Sequence, residues 1–248
     1  MMVVAILTCY NEARTIRSVL ERLSAVLESM QEEHRIVVID DGSTDGSPRI
    51  CEEFAAESGG TVEVVRFERN RGVGAVFRAG LTRALALAKA PDDMVVIVEA
   101  DGTNELSLLP RMRDAVARGA DLVVASRYMR GARVEGVPAH RLILSRALNL
   151  YLHRRFRRVC DITDFSYFFK AMSVRALESA RKRYADELIT SAGFAASSEL
   201  VIKLAASGAK VVQLPTEYLY HARGESKLRV WPAVSEYIDL LARLKRTL

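Results

Sequence analysis

Two acidic residues directly after an apolar run carry the most suggestive chemistry in the sequence. The run Met94 to Val98 has the length and continuity of a buried parallel strand, and Glu99 and Asp101 follow it with only Ala100 between them. In open α/β sheets ligands bind beyond the carboxyl ends of the strands, where two such carboxylates could hold a divalent cation. The alternative is a solvated acidic turn, which is the commoner meaning of an isolated Glu-Ala-Asp.

Further polar residues follow the other strands that the pattern predicts. Tyr10, Asn11 and Glu12 come after an apolar run at Val3 to Leu7, and Asp40 and Asp41 come after Ile36 to Ile39. The segment from Asn70 to Gly74 opens a helix and could receive phosphate through its backbone N–H groups, although a lone G-x-G is more often a tight turn. These residues are expected along one edge of one sheet, where nucleotides bind.

The elements that must position these residues alternate between strands and helices over the first 125 residues. This alternation predicts an α/β fold with a mostly parallel, Rossmann-like sheet and right-handed crossovers. The predicted strands are 3–7, 36–39, 62–67, 94–98 and 122–125, and helices occupy the intervals. The motifs G-x-G-x-x-G after the first strand and G-x-x-x-x-G-K-[ST] are both missing, so ordinary dinucleotide and P-loop sites are disfavoured.

The second half is less regular and rich in arginine. Residues 141–158 mix leucines with arginines, which predicts either a basic helix on an anionic membrane surface or an ordinary helix with a solvated basic face. A nucleic-acid partner is not expected, because no nucleic-acid motif accompanies the arginines. Phe165 to Lys170 suggests a strand beside the pocket, and Glu199 lies near the start of a helix at 197–206. A charged loop containing Arg223 and Lys227 precedes an amphipathic C-terminal helix at 231–248.

Length and composition bound these interpretations. The chain has 248 residues, half of them hydrophobic, which suffices for one domain over residues 1–230 with an appended helix. No apolar run is long enough to span a membrane, and the N-terminus lacks the features of a signal peptide. Three scattered cysteines argue against disulfides and zinc and fit a reducing cytoplasm, and the net charge of +5 is modest.

Taken together, the motifs give the chain a resemblance to a known family. Over about residues 3–228 it resembles the family 2 glycosyltransferases of the GT-A fold, and within them the dolichol-phosphate mannosyltransferase or polyprenyl-phosphate glycosyltransferase group. The order and spacing of the motifs carry the resemblance: Tyr10-Asn11-Glu12, Val38 to Asp45, Asn70 to Ala75, Glu99-Ala100-Asp101 at the D-x-D position, Ser126-Arg127-Tyr128, Asp161 to Lys170 and Gly224 to Lys227.

The resemblance implies inverting transfer of a sugar from GDP-mannose or a UDP-sugar. Tyr10, Glu12, Asp40 and Asp41 would hold the base and ribose, with Gly74 and Ala100 beside the nucleotide. Asp101, assisted by Glu99 or Thr103, would hold Mg²⁺ or Mn²⁺ on the diphosphate. The candidate cations for phosphate are Arg127, Arg223 and Lys227.

The sequence departs from the family pattern mainly on the sugar and acceptor side. Glu99 replaces an aspartate, Thr103 stands where a glutamine is frequent, and Asp164-Phe165-Ser166 replaces an S-G-F core. These changes leave the sugar and the acceptor open.

The acceptor decides whether a catalytic base is required. A polyprenyl phosphate, with a second pKa of about 6, is already ionised and needs cations, whereas a sugar hydroxyl needs a carboxylate, for which Glu199 is the candidate. The number of arginines favours the phosphate. The alternatives are a soluble glycosyltransferase acting on a hydroxyl of a small molecule or polysaccharide, a nucleotidyltransferase, which would need a glycine-rich basic loop after the first strand, and a non-catalytic nucleotide-sugar-binding protein.

Overall fold

The computed structural model describes residues 1–220 and 230–247, and in its first half strands and helices alternate as predicted. The strands are β1 (Val3–Cys9), β2 (His34–Asp40), β3 (Val62–Arg66), β4 (Met94–Glu99), β5 (Leu122–Ser126), β6 (Arg133–Glu135), β7 (Lys170–Ser173), β8 (Val211–Pro215) and β9 (Glu217–Leu219). The helices are α1 (Ile16–Ser29), α2 (Ser47–Glu57), α3 (Val73–Leu87), α4 (Leu109–Ala117), α5 (Ala139–Phe156), α6 (Val174–Tyr184), α7 (Ala195–Ala206) and α8 (Val230–Thr247).

A single large sheet organises the described part of the chain. Its strand order is β3-β2-β1-β4-β7-β5-β8, and all neighbours are parallel except β7, which runs antiparallel between β4 and β5. The strands β6 and β9 pair in a separate small sheet. The predicted fold class, α/β with a mostly parallel sheet flanked by helices, is therefore confirmed.

Helices cover both faces of the sheet and bury its side chains in two layers. Along β1, Val3, Ala5 and Leu7 pack toward α1 and α4, whereas Val4 and Ile6 pack toward α3 and α7. All five side chains are fully buried. The central strands are thus apolar on both faces, as expected for a parallel sheet, and polar chemistry is confined to their ends.

The predicted strand at Phe165 to Lys170 is wrong over most of its length, because β7 begins only at Lys170. The residues before it form an irregular segment in which side-chain oxygens accept hydrogen bonds from backbone N–H groups. Phe165 N–H donates to Asn149 Oδ1 (2.7 Å) and Tyr167 N–H to Asp164 Oδ1 (3.2 Å). Since these donors are satisfied locally, the segment does not need a strand partner.

Two helices of the second half border the functional edge. α8 packs on the domain through the buried residues Tyr237, Leu240 and Leu244, and Tyr237 shares a hydrogen bond of 3.0 Å with Ser198 of α7. α5 begins and ends about two residues before the prediction and buries its C-terminal half through Leu152 and Phe156. Among the described residues no helix combines the length and the apolarity needed to cross a bilayer.

Candidate functional site

The carboxyl ends of β1, β2 and β4 meet at one edge of the sheet, as the sequence predicts. Cys9 pairs with Asp40 and Thr8 with Glu99, which brings the acidic ends of β2 and β4 to either side of β1. The loops after β1 and β2 are joined because Asn11 N–H donates to Ser43 Oγ (2.8 Å). The segments that contain Tyr10, Glu12 and Asp40 therefore form one wall of the edge.

Asp40 and Asp41 are both buried, but they hold different neighbours. Asp40 Oδ1 accepts from Ser43 N–H (3.2 Å), and its Oδ2 lies 3.5 Å from Arg66 Nε. Asp41 accepts from the N–H groups of Arg71 (2.7 Å) and Gly72 (3.0 Å). Burial raises the pKa of Asp41 despite these two bonds. Asp41 thus anchors the glycine turn at residues 70–74 to the end of β2.

Asn104, which the sequence analysis did not single out, orients Glu99. Its Oδ1 accepts from Glu99 N–H (2.7 Å), while its Nδ2 donates to Glu99 Oε2 (3.3 Å) and to Tyr167 Oη (2.9 Å). Asn104 is itself buried. The side chain of Glu99 is therefore tied to the irregular segment that precedes β7. The amide of Asn104, three residues after the Glu-Ala-Asp run, was the available signal in the sequence.

Asp101 lies almost fully buried beside Thr103. Its Oδ1 accepts from the N–H (3.0 Å) and the hydroxyl (2.7 Å) of Thr103. Ala100 between the two acids is buried, and its carbonyl accepts from Thr15 Oγ1 (2.7 Å). Thr103 therefore fixes the orientation of Asp101, and its contact with a metal stays a prediction.

The acidic pair fits one kind of cation site. Within residues 1–220 and 230–247 no group of three or more His, Cys, Asp or Glu side chains surrounds a common point, so a closed all-protein metal cage does not form there. Mg²⁺ and Mn²⁺ are commonly held by one or two carboxylates together with substrate phosphates. The donor set of Glu99 and Asp101 has the chemistry for a metal that arrives with a diphosphate.

Arg127 is held rigidly by an acid and by aromatic rings. Its Nε and Nη2 donate to the two oxygens of the fully buried Asp164 (2.8 and 3.0 Å), and Nη2 also donates to Ser166 Oγ (3.0 Å). Its guanidinium lies about 5 Å from the ring centres of Tyr128, Tyr167 and Tyr218. Burial alone would lower the pKa of Arg127, but Asp164 raises it above its ordinary value.

A largely apolar cavity of about 310 Å³ lies beside these residues. Glu99 and Arg127 line it, and its apolar walls come mainly from α5, α8 and the segment before β7. The apolar lining includes Leu142, Leu148, Phe168, Phe194, Tyr218, Tyr237 and Leu241. The arrangement can bind an apolar molecule whose charged end reaches the Glu99 edge.

Lys170 is a buried cation that the sequence analysis mentioned only as the end of a segment. Its side chain is fully buried on β7 and donates to Ser197 Oγ (2.5 Å) and to the Ser197 carbonyl (3.2 Å). Burial lowers the pKa of Lys170 to about 7, although Asp164 and Glu99 oppose the shift. A lysine between aromatic and apolar residues was its signal in the sequence.

Glu199 does not have the surroundings of a catalytic base. It is fully buried on α7, and its carboxylate accepts from Thr190, Ser191 and Lys203. Burial alone would raise the pKa of Glu199, but the Lys203 ammonium and the neighbouring hydrogen bonds lower it. We therefore do not retain Glu199 as a base. The other two predicted phosphate ligands, Arg223 and Lys227, lie outside the described residues.

Comparisons with known proteins agree with this geometry. A family model described as glycosyl transferase family 2 matches residues 4–180. A dolichol-phosphate mannosyltransferase of Pyrococcus furiosus is 27% identical over 246 residues, which cover 99% of this chain and 64% of the relative. A polyprenol monophosphomannose synthase of Mycolicibacterium smegmatis is 30% identical, with 90% of this chain and 79% of the relative covered. The chain thus spans somewhat less than two thirds of the Pyrococcus protein.

Solved structures share the fold at low sequence identity. Glucosyl-3-phosphoglycerate synthase from Mycobacterium tuberculosis, in complex with Mn²⁺ and UDP-glucose, superimposes with a TM-score of 0.62 at 19% identity, covering 98% of this chain and 77% of that one. Mannosyl-3-phosphoglycerate synthase from Rubrobacter xylanophilus gives the same score and identity, with 99% and 74% covered. These similarities establish the fold alone.

Proposed function

The chain belongs to glycosyl transferase family 2, and from this premise we propose that it transfers a sugar from a nucleoside-diphosphate sugar to a polyprenyl phosphate with inversion. The observation that carries the acceptor is the apolar cavity whose lining also includes Glu99 and Arg127. A prenyl chain would lie against the apolar walls, because burying its methylene groups gains about 0.8 kcal/mol each. Its phosphate would then stand at the edge where the donor binds.

The names of the relatives support the same acceptor class. The Pyrococcus and Mycolicibacterium proteins are named for dolichol phosphate and polyprenol monophosphate chemistry. A phosphomonoester with a second pKa of about 6 is largely ionised at neutral pH and attacks without a general base. The mechanism therefore requires hydrogen-bond donors near the acceptor phosphate. Arg127 would supply guanidinium N–H groups, and because Asp164 already holds it in place it would not have to be ordered first.

The donor would bind along the acidic edge. Tyr10, Glu12 and Asp40 would contact the base and ribose of GDP-mannose or a UDP-sugar, and the turn that includes Gly74 would face the diphosphate. The diphosphate would bring Mg²⁺ or Mn²⁺, held by Asp101 and Glu99, and the metal would supply a positive charge that offsets the charge developing on the leaving group. Thr103 and Ala100 would keep the two carboxylates in place.

The second partner we propose is an anionic membrane surface, from which the lipid acceptor would enter. The outward side of α5 exposes Ile143, Leu150 and Tyr151, with exposed fractions of 66%, 49% and 52%, among the exposed arginines Arg146 and Arg154. A stripe of apolar side chains flanked by cations suits the interface between headgroups and acyl chains. These exposed apolar residues support the interpretation of residues 141–158 as a membrane contact, because a fully solvated face would not need them.

Release of nucleoside diphosphate tests the proposal. GDP-mannose, UDP-glucose and UDP-GlcNAc are each supplied with Mn²⁺, with and without a short-chain polyprenyl phosphate. Release that depends on the lipid phosphate is expected from one donor. Metal-dependent release that ignores the lipid phosphate would contradict the acceptor and favour a hydroxyl, and no release or binding with any donor would contradict the transferase itself.

A variant pair on α5 connects the same assay to the cavity. Leu148→Trp adds a ring inside the cavity and is expected to lower lipid-dependent release at least tenfold, because filling the volume displaces the prenyl chain. Ala147→Trp places the same ring on the exposed side of the helix and is expected to leave the rate within about twofold. Equal rates for both variants would place the acceptor elsewhere.

A further inference from the structure

A buried ion pair on α7 lies outside the lining of the apolar cavity. Glu199 and Lys203, one helical turn apart, form a salt bridge of 2.6 Å with almost no exposed surface on either side chain. Lys203 also donates to the carbonyl of Glu187 and lies 5.3 Å from the ring centre of Tyr184. Desolvating such a pair is costly, so its presence is weak evidence for a contribution to stability.

The carboxylate of this pair holds the loop at residues 190–193. Glu199 Oε2 accepts from the N–H groups of Thr190 (3.0 Å) and Ser191 (2.8 Å), and its Oε1 accepts from the Thr190 hydroxyl (2.7 Å). Two consecutive backbone amides are thus fixed by one side chain. The path of the loop follows from where Glu199 lies on α7.

The loop in turn supports the glycine turn at residues 70–74. Gly74 N–H donates to the Ala192 carbonyl (2.8 Å), and the contact is so close that a Cβ on Gly74 would lie 1.8 Å from the Ser191 carbonyl oxygen. Gly72 has a φ of +84°, and a Cβ there would lie 2.6 Å from the Ala192 oxygen. Glycine is required at both positions because backbone approaches backbone.

The turn is therefore held from two sides. Asp41 fixes its first residues from the end of β2, and Ala192 fixes Gly74 at the start of α3. If the loop at 190–193 moved, Gly74 N–H would lose its acceptor, and the start of α3 would shift with it.

We propose that Glu199 is a positioning residue for the donor: through residues 190–192 it sets the place of the glycine turn that borders the donor site. This inference rests on the proposed function, since it assumes that the turn faces the donor. The positioning role replaces the predicted role of a catalytic base. Glu199 would act on the donor side through the backbone of residues 190–192 and would touch neither substrate.

Three variants separate the possible roles of Glu199. The double variant Glu199→Met/Lys203→Met exchanges the pair for apolar side chains of similar size, which is often tolerated, but leaves the two amides of the loop without their acceptor. Its KM for the donor and its Kd for GDP or UDP with Mn²⁺ are expected to rise at least tenfold, with kcat and the acceptor KM within about twofold. Glu199→Gln retains an oxygen for the two amides and is expected to stay within about threefold of wild type in donor KM.

A matched control removes a buried carboxylate that is remote from the donor edge. Asp121 at the start of β5 accepts from Lys210 N–H (3.0 Å), Ser173 Oγ (3.1 Å) and Arg175 (2.8 Å). Asp121→Asn is expected to lower the melting temperature without changing the Kd for the nucleotide. If the double variant does not fold, Thr190→Val, which removes one bond to Glu199, is expected to raise the Kd about threefold.

The outcomes are distinguishable. A double variant, or Thr190→Val in its place, that binds GDP or UDP like wild type would overturn the positioning role. A loss of 10²-fold or more in kcat for Glu199→Gln at unchanged donor KM would restore the base. Wild-type protein that binds neither nucleotide with Mn²⁺ would overturn the proposed function, and this inference with it. Calorimetric measurement of the Kd for GDP or UDP needs no acceptor, so it distinguishes an effect on donor binding from an effect on acceptor binding.

Discussion

At the scale of single residues, the chemistry of this edge depends on which neighbours each charged side chain already has. Arg127 is joined to Asp164 by two hydrogen bonds, and Glu99 is oriented by Asn104. Both remain part of the cavity lining. Glu199 has the same residue type as Glu99, yet its contacts fix a loop and leave no exposed surface. The residue types made these side chains candidates for the site, and their hydrogen-bond partners distinguish their roles.

Lys170 provides a test at this scale, because its burial makes the stability of the protein depend on pH. Its pKa is lowered to about 7 in the folded protein, whereas an unfolded lysine titrates near 10.4. Between these values the unfolded chain binds the proton and the folded protein does not. The free energy of unfolding should therefore rise with pH, by up to about 1.4 kcal/mol per unit. Below about pH 7 both states are protonated and this contribution is constant.

Urea denaturation of wild type and Lys170→Met from about pH 6 to about pH 10 measures this dependence. The difference between the two proteins in the free energy of unfolding is expected to be flat at the acid end and to increase in favour of wild type above it. The charged groups around Lys170, which are Asp164, Glu99 and Arg127, remain in the variant. Lys182→Met removes an exposed lysine of α6 and serves as control. A difference that stays constant over the whole range would contradict the lowered pKa.

At the scale of elements, the sequence predicted the first half well because periodicity and burial agree there. The ends of β1, β2 and β4 carry Glu12, Asp40 and Glu99 to one edge, because β2 and β4 both pair in parallel with β1. The segment from Phe165 could not be predicted in the same way. Its path depends on two side-chain acceptors. Asn149 lies 16 residues earlier in the chain, and Asp164 accepts a hydrogen bond from the backbone of the segment that follows it.

The same limit explains what the motifs missed around the site. Asn104 and Lys170 stand next to recognisable motifs but take their roles from contacts with Tyr167 and Ser197, far away in sequence. Sequence spacing placed Glu199 near the start of a helix. It did not reveal that the loop at 190–193 folds back onto its carboxylate.

α5 is the element whose proposed membrane contact can be tested without the reaction. Ile143→Glu combined with Tyr151→Glu places two acids in the outward apolar stripe and is expected to reduce binding to vesicles at least tenfold, since apolar burial and attraction to anionic lipid are both lost. Cosedimentation with vesicles of phosphatidylcholine and phosphatidylglycerol measures the fraction of each protein that is bound to the membrane. Release of nucleoside diphosphate with a short-chain lipid phosphate in solution should change by less than about threefold.

A control for α5 comes from β8, the outermost strand of the sheet. Val212 on β8 is also exposed, at 37%, and Val212→Glu adds an acid outside α5. It is expected to bind vesicles as wild type does. If all variants bind the vesicles equally, the stripe on α5 is an ordinary surface and the membrane contact is refuted.

At the scale of the whole molecule, the proposed donor and acceptor sites share one edge and one set of supports. Glu99 belongs both to the acidic pair after β4 and to the lining of the apolar cavity. The loop at 190–193 contacts the glycine turn on one side and α8 on the other, since Arg243 donates to Ser191 Oγ (2.9 Å). The walls of the cavity and the glycine turn at residues 70–74 are therefore parts of one packed unit.

This shared construction makes the thermal stability of the whole protein a measure of the donor site. A ligand present at 100 times its Kd stabilises the folded state by about 2.7 kcal/mol. For a protein of 248 residues, a shift of about 2 to 4 °C per kcal/mol gives an expected rise of about 5 to 10 °C in melting temperature. GDP or UDP with Mn²⁺ should produce this rise in melting temperature, and the same nucleotide with EDTA should produce a much smaller one.

In Asp101→Ala the gain in melting temperature that depends on metal should disappear, because one of the two carboxylates of the acidic pair is gone. An equal shift with and without metal, or a full metal-dependent shift in Asp101→Ala, would show that the pair after β4 does not hold the cation.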